Sequence, residues 1–202
     1  MTSLGPFVPT GTPAAAVDEI LDAALAVYAE IGIRKATLDD IAKRANVQRG
    51  TVYRRVGGKN EVVAAVMARE STRLFELIRE AAQSAETYPD RVVKAFATTV
   101  TAVRENRVWN RVLELEPATI LDQLTLNGTF ILAAAVEATA EILRSPDDLA
   151  SSEQLRARAE ILVRITHSIL LTPHAQVSLD THAEVESFAR TYLLAIALPA
   201  SG

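Results

Sequence analysis

Residues 37–59 read TLDDIAKRANVQRGTVYRRVGGK, and their order predicts a short helix, a tight turn and a basic second helix. That succession is the sequence form of a DNA-reading helix-turn-helix. Thr37 can cap the first helix, with Asp40 three positions on to complete a capping box and to favour the positive end of the helix dipole. Leu38, Ile41, Ala42 and Ala45 have the i, i+3, i+4, i+7 spacing of one buried face, which leaves Lys43 and Arg44 toward solvent. Asn46 ends this helix because asparagine tolerates the left-handed backbone of a sharp turn. Val47 is the apolar wedge. Residues 48–56 make the second helix, with Val52 and Val56 inward and Gln48, Arg49, Thr51, Tyr53, Arg54 and Arg55 outward, a set of donors suited to phosphates and base edges.

Charge points the same way. Residues 34–59 hold eight cations (Arg34, Lys35, Lys43, Arg44, Arg49, Arg54, Arg55, Lys59) against Asp39 and Asp40, a segment charge of +6 in a chain of −4. A cationic patch on an otherwise acidic protein marks a phosphate-binding surface. Tyr53 lies at the edge of the buried face, so spacing alone leaves it between core aromatic and surface contact. Lys59 follows Gly57-Gly58 and opens the next helix, as an ordinary surface lysine or as a phosphate ligand.

These residues resemble the DNA-binding signature of the tetracycline-repressor (TetR) family, T-x-x-x-I-A-x-x-A-G-V-S-x-G-T-x-Y-x-x-F-x-x-K-x-x-L. Thr37, Ile41, Ala42, Ala45, Val47, Gly50, Thr51, Tyr53 and Lys59 match in register. Asn46, Gln48, Val56 and Val62 stand where the signature has Gly, Ser, Phe and Leu. Gln48 is a poorer cap than serine, and Val56 replaces an aromatic core ring. The resemblance implies an all-α protein: a three-helix N-terminal helix-turn-helix domain followed by a larger helical-bundle domain for ligand binding and dimerisation. It also implies that the Tyr53 hydroxyl meets a phosphate, and that the last two long helices pack into a four-helix dimer interface.

Helical periodicity runs through the rest of the chain, with no convincing strand. Val17, Ile20, Leu21, Ala24, Leu25, Tyr28 and Ile31 stripe a first helix that Gly32 ends. A long helix runs from Asn60 to just before Tyr88-Pro89. Further helices are expected from Pro89 to about Arg104, from Arg107 to Leu115, and from Pro117 to Leu143 with an irregularity at Asn127-Gly128. Ser145-Pro146-Asp147-Asp148 reads as a turn, and the last helices as Ser152–Leu171 and Thr181–Leu198. The domain expectation is a tail over 1–13, a DNA-binding domain over 14–58 and a ligand-binding and dimerisation domain over 59–202. The tail lacks the basic and apolar regions of a signal peptide.

Leu155, Leu162, Ile169, Val185, Phe188 and Tyr192 are the candidate dimer contacts. A two-fold dimer doubles the few bases that one recognition helix reads. Phe96, Val100, Trp109, Leu113, Leu121, Leu124, Asn127, Phe130, Ile131 and His167 are the candidate ligand pocket, each open to the alternative of plain core packing. Their scarcity of charge favours an apolar or neutral effector.

Enzyme chemistry finds no foothold. The chain has no cysteine, which excludes thiolate metal sites, cysteine nucleophiles and disulfides, and the composition suits a reducing cytoplasm. His167, His174 and His182 are spaced by seven and eight residues, and Pro173 breaks the helix between the first two, so no two of them form an i, i+4 metal pair. Glu114 and Glu116 point to different sides of their helix. No Gly-rich phosphate loop follows a strand, and no catalytic residue or cofactor is expected. The longest apolar run, Phe130 to Val136, falls short of the ~20 residues that span a bilayer. The reading is a soluble, ligand-responsive transcriptional regulator, most simply a repressor, binding a palindromic double-stranded DNA operator as a homodimer. The alternative is an all-helical ligand-binding or scaffold protein with weakened operator recognition, which the departures at Gln48 and Val56 leave open.

Overall fold

The computed structural model describes residues 13–125, 128–145, 150–172 and 176–198. Among these residues every regular element is helical: α1 (Pro13–Ile31), α2 (Leu38–Arg44), α3 (Arg49–Arg55), α4 (Lys59–Gln83), α5 (Tyr88–Glu105), α6 (Arg107–Leu115), α7 (Pro117–Leu124), α8 (Thr129–Leu143), α9 (Ser152–Leu171), α10 (His182–Phe188) and α11 (Leu194–Ala197), with a π-helical turn at Ala189–Leu193 between the last two. The expected helix from Pro117 to Leu143 is two helices, since α7 ends at Leu124 and α8 begins at Thr129. The chain divides into compact units at Met1–Met67 and Ala68–Gly202, so the first part of α4 groups with the N-terminal helices.

In the first unit the apolar faces of α1 to α4 meet. Ile20, Leu21, Ala24, Val27 and Tyr28 of α1, Ile41 and Ala42 of α2, Val52 of α3 and Val62 and Val66 of α4 are all buried. Val62 is fully enclosed, so the shorter branched side chain serves as core here. The Tyr28 ring is inside too, and its hydroxyl finds no hydrogen-bond partner among the described residues. Burial pushes that phenol up to about 12, because the phenolate would lose its hydration. The α2–α3 turn rests on Asn46, at φ 53. Val47 N donates to Ala42 O at 2.9 Å across it. After α3, Gly57 takes φ 121, and a Cβ there would stand 2.7 Å from the Glu61 Cβ, so this corner admits only glycine.

In the second unit the core gathers Val92, Val93, Phe96, Ala97 and Val100 of α5, Ala140 and Leu143 of α8, Leu155, Ala159 and Leu162 of α9, and Val185, Ala189, Leu193 and Ala197 of the C-terminal segment. Polar staples hold that segment to α5. Tyr88 Oη lies 3.1 Å from both the Leu143 and the Ala197 carbonyl, and Arg190 pairs with Asp90 at 2.8 Å. The π-turn inserts one extra residue per turn and so shifts the helical register between Phe188 and Leu194. Phe188 stacks on Phe96 at 5.7 Å, while Tyr192 leans on Phe188 at 5.1 Å and stays exposed.

Candidate nucleic-acid interface

The surface is built from the start of α2 onward. Thr37 accepts a hydrogen bond from Asp40 N at 3.2 Å, and the Asp40 carboxylate accepts from Thr37 N at 3.0 Å and from its hydroxyl at 2.6 Å. Those bonds to Thr37 hold the Asp40 carboxyl below the usual carboxylate value. The closed box fixes where α2 starts, and the turn at Asn46 then sets where α3 leaves it. Helix α3 forms in spite of the two departures from the signature. Gln48 occupies its N-cap with extended backbone and makes no capping bond through its side chain. Val56 closes the other end, its N–H donating to Val52 O at 2.9 Å.

One face of α3 is buried only through Val52; the rest looks outward. Gln48, Arg49, Gly50, Tyr53, Arg54 and Arg55 are all exposed, and Thr51 is half-buried. Tyr53 shows 64% of its surface, so the position that spacing left undecided is not a core aromatic. Gly50 is informative in another way. A Cβ added there would meet only the Arg54 Nη1, at an ordinary 3.6 Å, yet glycine inside a helix costs about 0.5–1 kcal/mol relative to alanine. Nothing within the fold requires it.

Several of the cations already have partners inside the protein. Arg44 donates to Glu30 of α1, Arg49 lies 3.6 Å from Asp39, and Arg54 donates to the Thr51 hydroxyl at 3.4 Å. Lys59 Nζ donates to the Arg34 carbonyl at 2.7 Å, tying the start of α4 to the α1–α2 connection. Sequence reasoning missed the two carboxylate pairs because their members lie ten and fourteen residues apart, with no local spacing rule to couple them. Lys43 and Arg44 are exposed on α2, next to this surface.

The candidate pocket residues do not share one environment. Phe96 and Val100 are closed into the α5 core, whereas Leu113, Leu121 and Phe130 are exposed, Phe130 at 75%. Trp109, Leu124, Ile131 and His167 are half-buried, and the Trp109 backbone N–H is held by the Asn106 side chain at 3.1 Å in the cap of α6. Asn127, His174 and the turn residues Pro146, Asp147 and Asp148 lie outside the described residues. His182 pairs with Glu186 at 3.4 Å on an exposed face, and the described residues bring together no metal-binding group of three.

The candidate dimer contacts do not share one environment either. Leu155, Leu162 and Val185 are buried in their own chain's core, and Ile169 and Phe188 pack against it, so those apolar groups are already covered. Of the six only Tyr192 is exposed, at 55%, joined on α9 by Ile161 at 49%. The periodicity of a stripe facing the core and of one facing a partner is the same, which is why the sequence could not separate them.

The comparison with known families decides what this surface belongs to. Residues 20–66 match the family model described as bacterial regulatory proteins, tetR family. Over this segment the chain is similar to the TetR family. The HTH-type transcriptional regulator SrpR of Pseudomonas putida is 53% identical over 49 residues, which cover 24% of this chain and 23% of SrpR. The match to TtgW of the same species likewise spans only 37% of that protein. The HTH-type transcriptional regulator Rv1255c of Mycobacterium tuberculosis is 27% identical over 188 residues, covering 92% of this chain and 87% of its own. Among solved structures, the TetR family repressor AlkX of Dietzia superposes with a TM-score of 0.67 at 17% identity, covering 93% of this chain and all of AlkX. At that identity the likeness speaks for the fold alone. No helix among the chain's described residues is long and apolar enough to cross a membrane.

Proposed function

We propose that this protein, as a member of the TetR family, represses transcription in the cytoplasm by binding a palindromic DNA operator as a homodimer, and that a small apolar or neutral molecule releases it. The observation that carries the DNA-binding part is the outward face of α3, where an exposed tyrosine, three arginines and a glycine that the fold does not need share one short helix. A helix glycine that faces only the end of the Arg54 side chain suits a partner that must approach the backbone closely, and a duplex is such a partner. Phosphate contacts fall to Tyr53, Lys59, Lys43, Arg44, Arg54, Arg55 and the hydroxyls of Thr37 and Thr51. Gln48 and Arg49, at the start of the helix, are placed to read base edges.

The dimer reading rests on apolar side chains left in solvent on the last helices, Ile161 and Tyr192 above all. The effector reading rests on the half-buried Trp109, Leu124, Ile131 and His167, together with Asn127. The domain division 1–13, 14–58 and 59–202 belongs to the same proposal.

The deciding experiment is a salt titration of the full-length protein on random duplex DNA, followed by selection from a random library. A steep fall of affinity with salt and enrichment of an inverted repeat are expected. Salt-independent binding, or no enriched sequence, overturns the reading.

A further inference from the structure

Gln48 stands at the N-cap of α3, where the TetR signature has serine. Its backbone is extended, and its carbonyl takes the first helical bonds, from Thr51 N at 2.8 Å and Val52 N at 3.4 Å, which the main chain of any residue supplies. The side chain makes no capping bond, and the residue is exposed. A serine hydroxyl at that place would accept from an N–H of the first turn and stabilise α3, a gain that the glutamine forgoes. The rest of the turn has less to offer a base. Arg49 faces Asp39, Gly50 has no side chain, and the half-buried Thr51 accepts from Arg54 through its hydroxyl. Gln48 thus presents a donor and an acceptor side by side, spent on no cap, at the start of the helix whose outward face carries the cations.

We propose that Gln48 reads an adenine in each half-site of the operator, its carboxamide nitrogen donating to N7 and its carboxamide oxygen accepting from the N6 amino group. The inference rests on the DNA-binding reading above and deepens it. Edge chemistry selects the base. In the major groove only adenine shows an acceptor and a donor together. Guanine shows two acceptors, which sets the carboxamide oxygen against another oxygen or nitrogen lone pair. Cytosine shows one donor, and thymine one acceptor beside its methyl group. Each of those bases leaves half of the carboxamide unmatched. Gly50, two positions on, lets the backbone come close, since a Cβ there would meet only the end of the Arg54 side chain. Replacing the adenine should therefore weaken binding by about five- to 150-fold per half-site.

Full-length protein is used to enrich duplexes from a random library, and every single-base-pair variant of the recovered site is then titrated. One position of each half-site should be adenine, and changing it should weaken binding by the factor above. Gln48→Ala should erase the preference at that position and leave the others as they are. Gln48→Arg should move it to guanine, whose O6 and N7 a guanidinium matches. Gln48→Ser, which supplies a capping hydroxyl, should also erase the preference while melting no earlier than the parent. A glutamine that served only the fold would give neither the switched base nor the retained melting temperature. A Gln48→Ala selection unchanged at every position overturns the adenine contact and leaves DNA binding intact. So does a Gln48-dependent position at which the parent takes another base, or a Gln48→Arg protein that still selects adenine there. A parent protein whose affinity for duplex does not fall with salt, or that enriches no sequence, overturns the DNA-binding reading itself.

Discussion

A clamp within the fold and a proposed phosphate contact are separable at Lys59, and Lys59→Met tests both. In the folded chain its ammonium donates to the Arg34 carbonyl at 2.7 Å, so the variant loses one hydrogen bond to a charged donor. Such bonds contribute about 1.5–3 kcal/mol when sheltered, but this one is solvent-exposed, and screening brings it to about 0.5–1 kcal/mol. For a chain of this size that is a melting shift of roughly 1–4 °C, and more if the first unit melts by itself. On DNA, loss of one phosphate contact lowers the slope of log affinity against log salt by about 0.9. Between about 50 and 200 mM salt the variant should then lose about 3.5-fold less affinity than the parent. Fluorescence anisotropy on a random duplex across that range reads the slope, and a thermal melt of the same samples reads the clamp. Lys59→Arg should retain the slope, since the charge is kept. If Lys59→Met melts early but keeps the parental slope, the ammonium serves the fold and the phosphate assignment is refuted.

Three other outcomes are expected. Tyr28→Phe should stabilise the first unit by about 1 kcal/mol in chemical denaturation, because the hydroxyl it removes is buried and finds no partner among the described residues; destabilisation would mean that the phenol is satisfied. Ile161→Glu or Tyr192→Glu should shift the sedimenting species from dimer to folded monomer, whereas Leu162→Glu, inside the core, should cost several kcal/mol of folding and give unfolded or aggregated protein; a parent that sediments as a monomer at micromolar concentration refutes the dimer. Acid stability is the third. The Thr37 hydroxyl lowers the Asp40 pKa and the Thr87 hydroxyl that of Asp90, each from 3.8, and the backbone N–H of Thr181 lowers that of Glu184 from 4.5. A carboxylate whose folded pKa is depressed stabilises the fold above its unfolded value and loses that contribution as pH falls through the folded one. Denaturation midpoints should thus hold from neutral pH to about 5 and fall below about 4, and Thr87→Val should flatten part of that fall; a curve that Thr87→Val leaves unchanged removes the cap as its cause.

The sequence by itself determined the local elements, because their causes are local. A hydroxyl and a carboxylate three residues apart at Thr37 and Asp40 close a box wherever a helix follows. An asparagine between two amphipathic runs takes the left-handed turn at Asn46. The stripe of α1 and the cationic face of α3 follow from a period of 3.6 residues. What tertiary structure alone decided depends on which apolar face meets which. It put Leu155, Leu162 and Val185 into their own core, turned Tyr53 outward, and paired Arg44 with Glu30 and Arg49 with Asp39 across different helices. It also set a π-turn at Ala189–Leu193, where Phe188 stacks on Phe96 and Leu193 joins the core while Tyr192 between them stays exposed. Periodicity states that a face is apolar; only the packing of helices far apart in the chain decides what covers it.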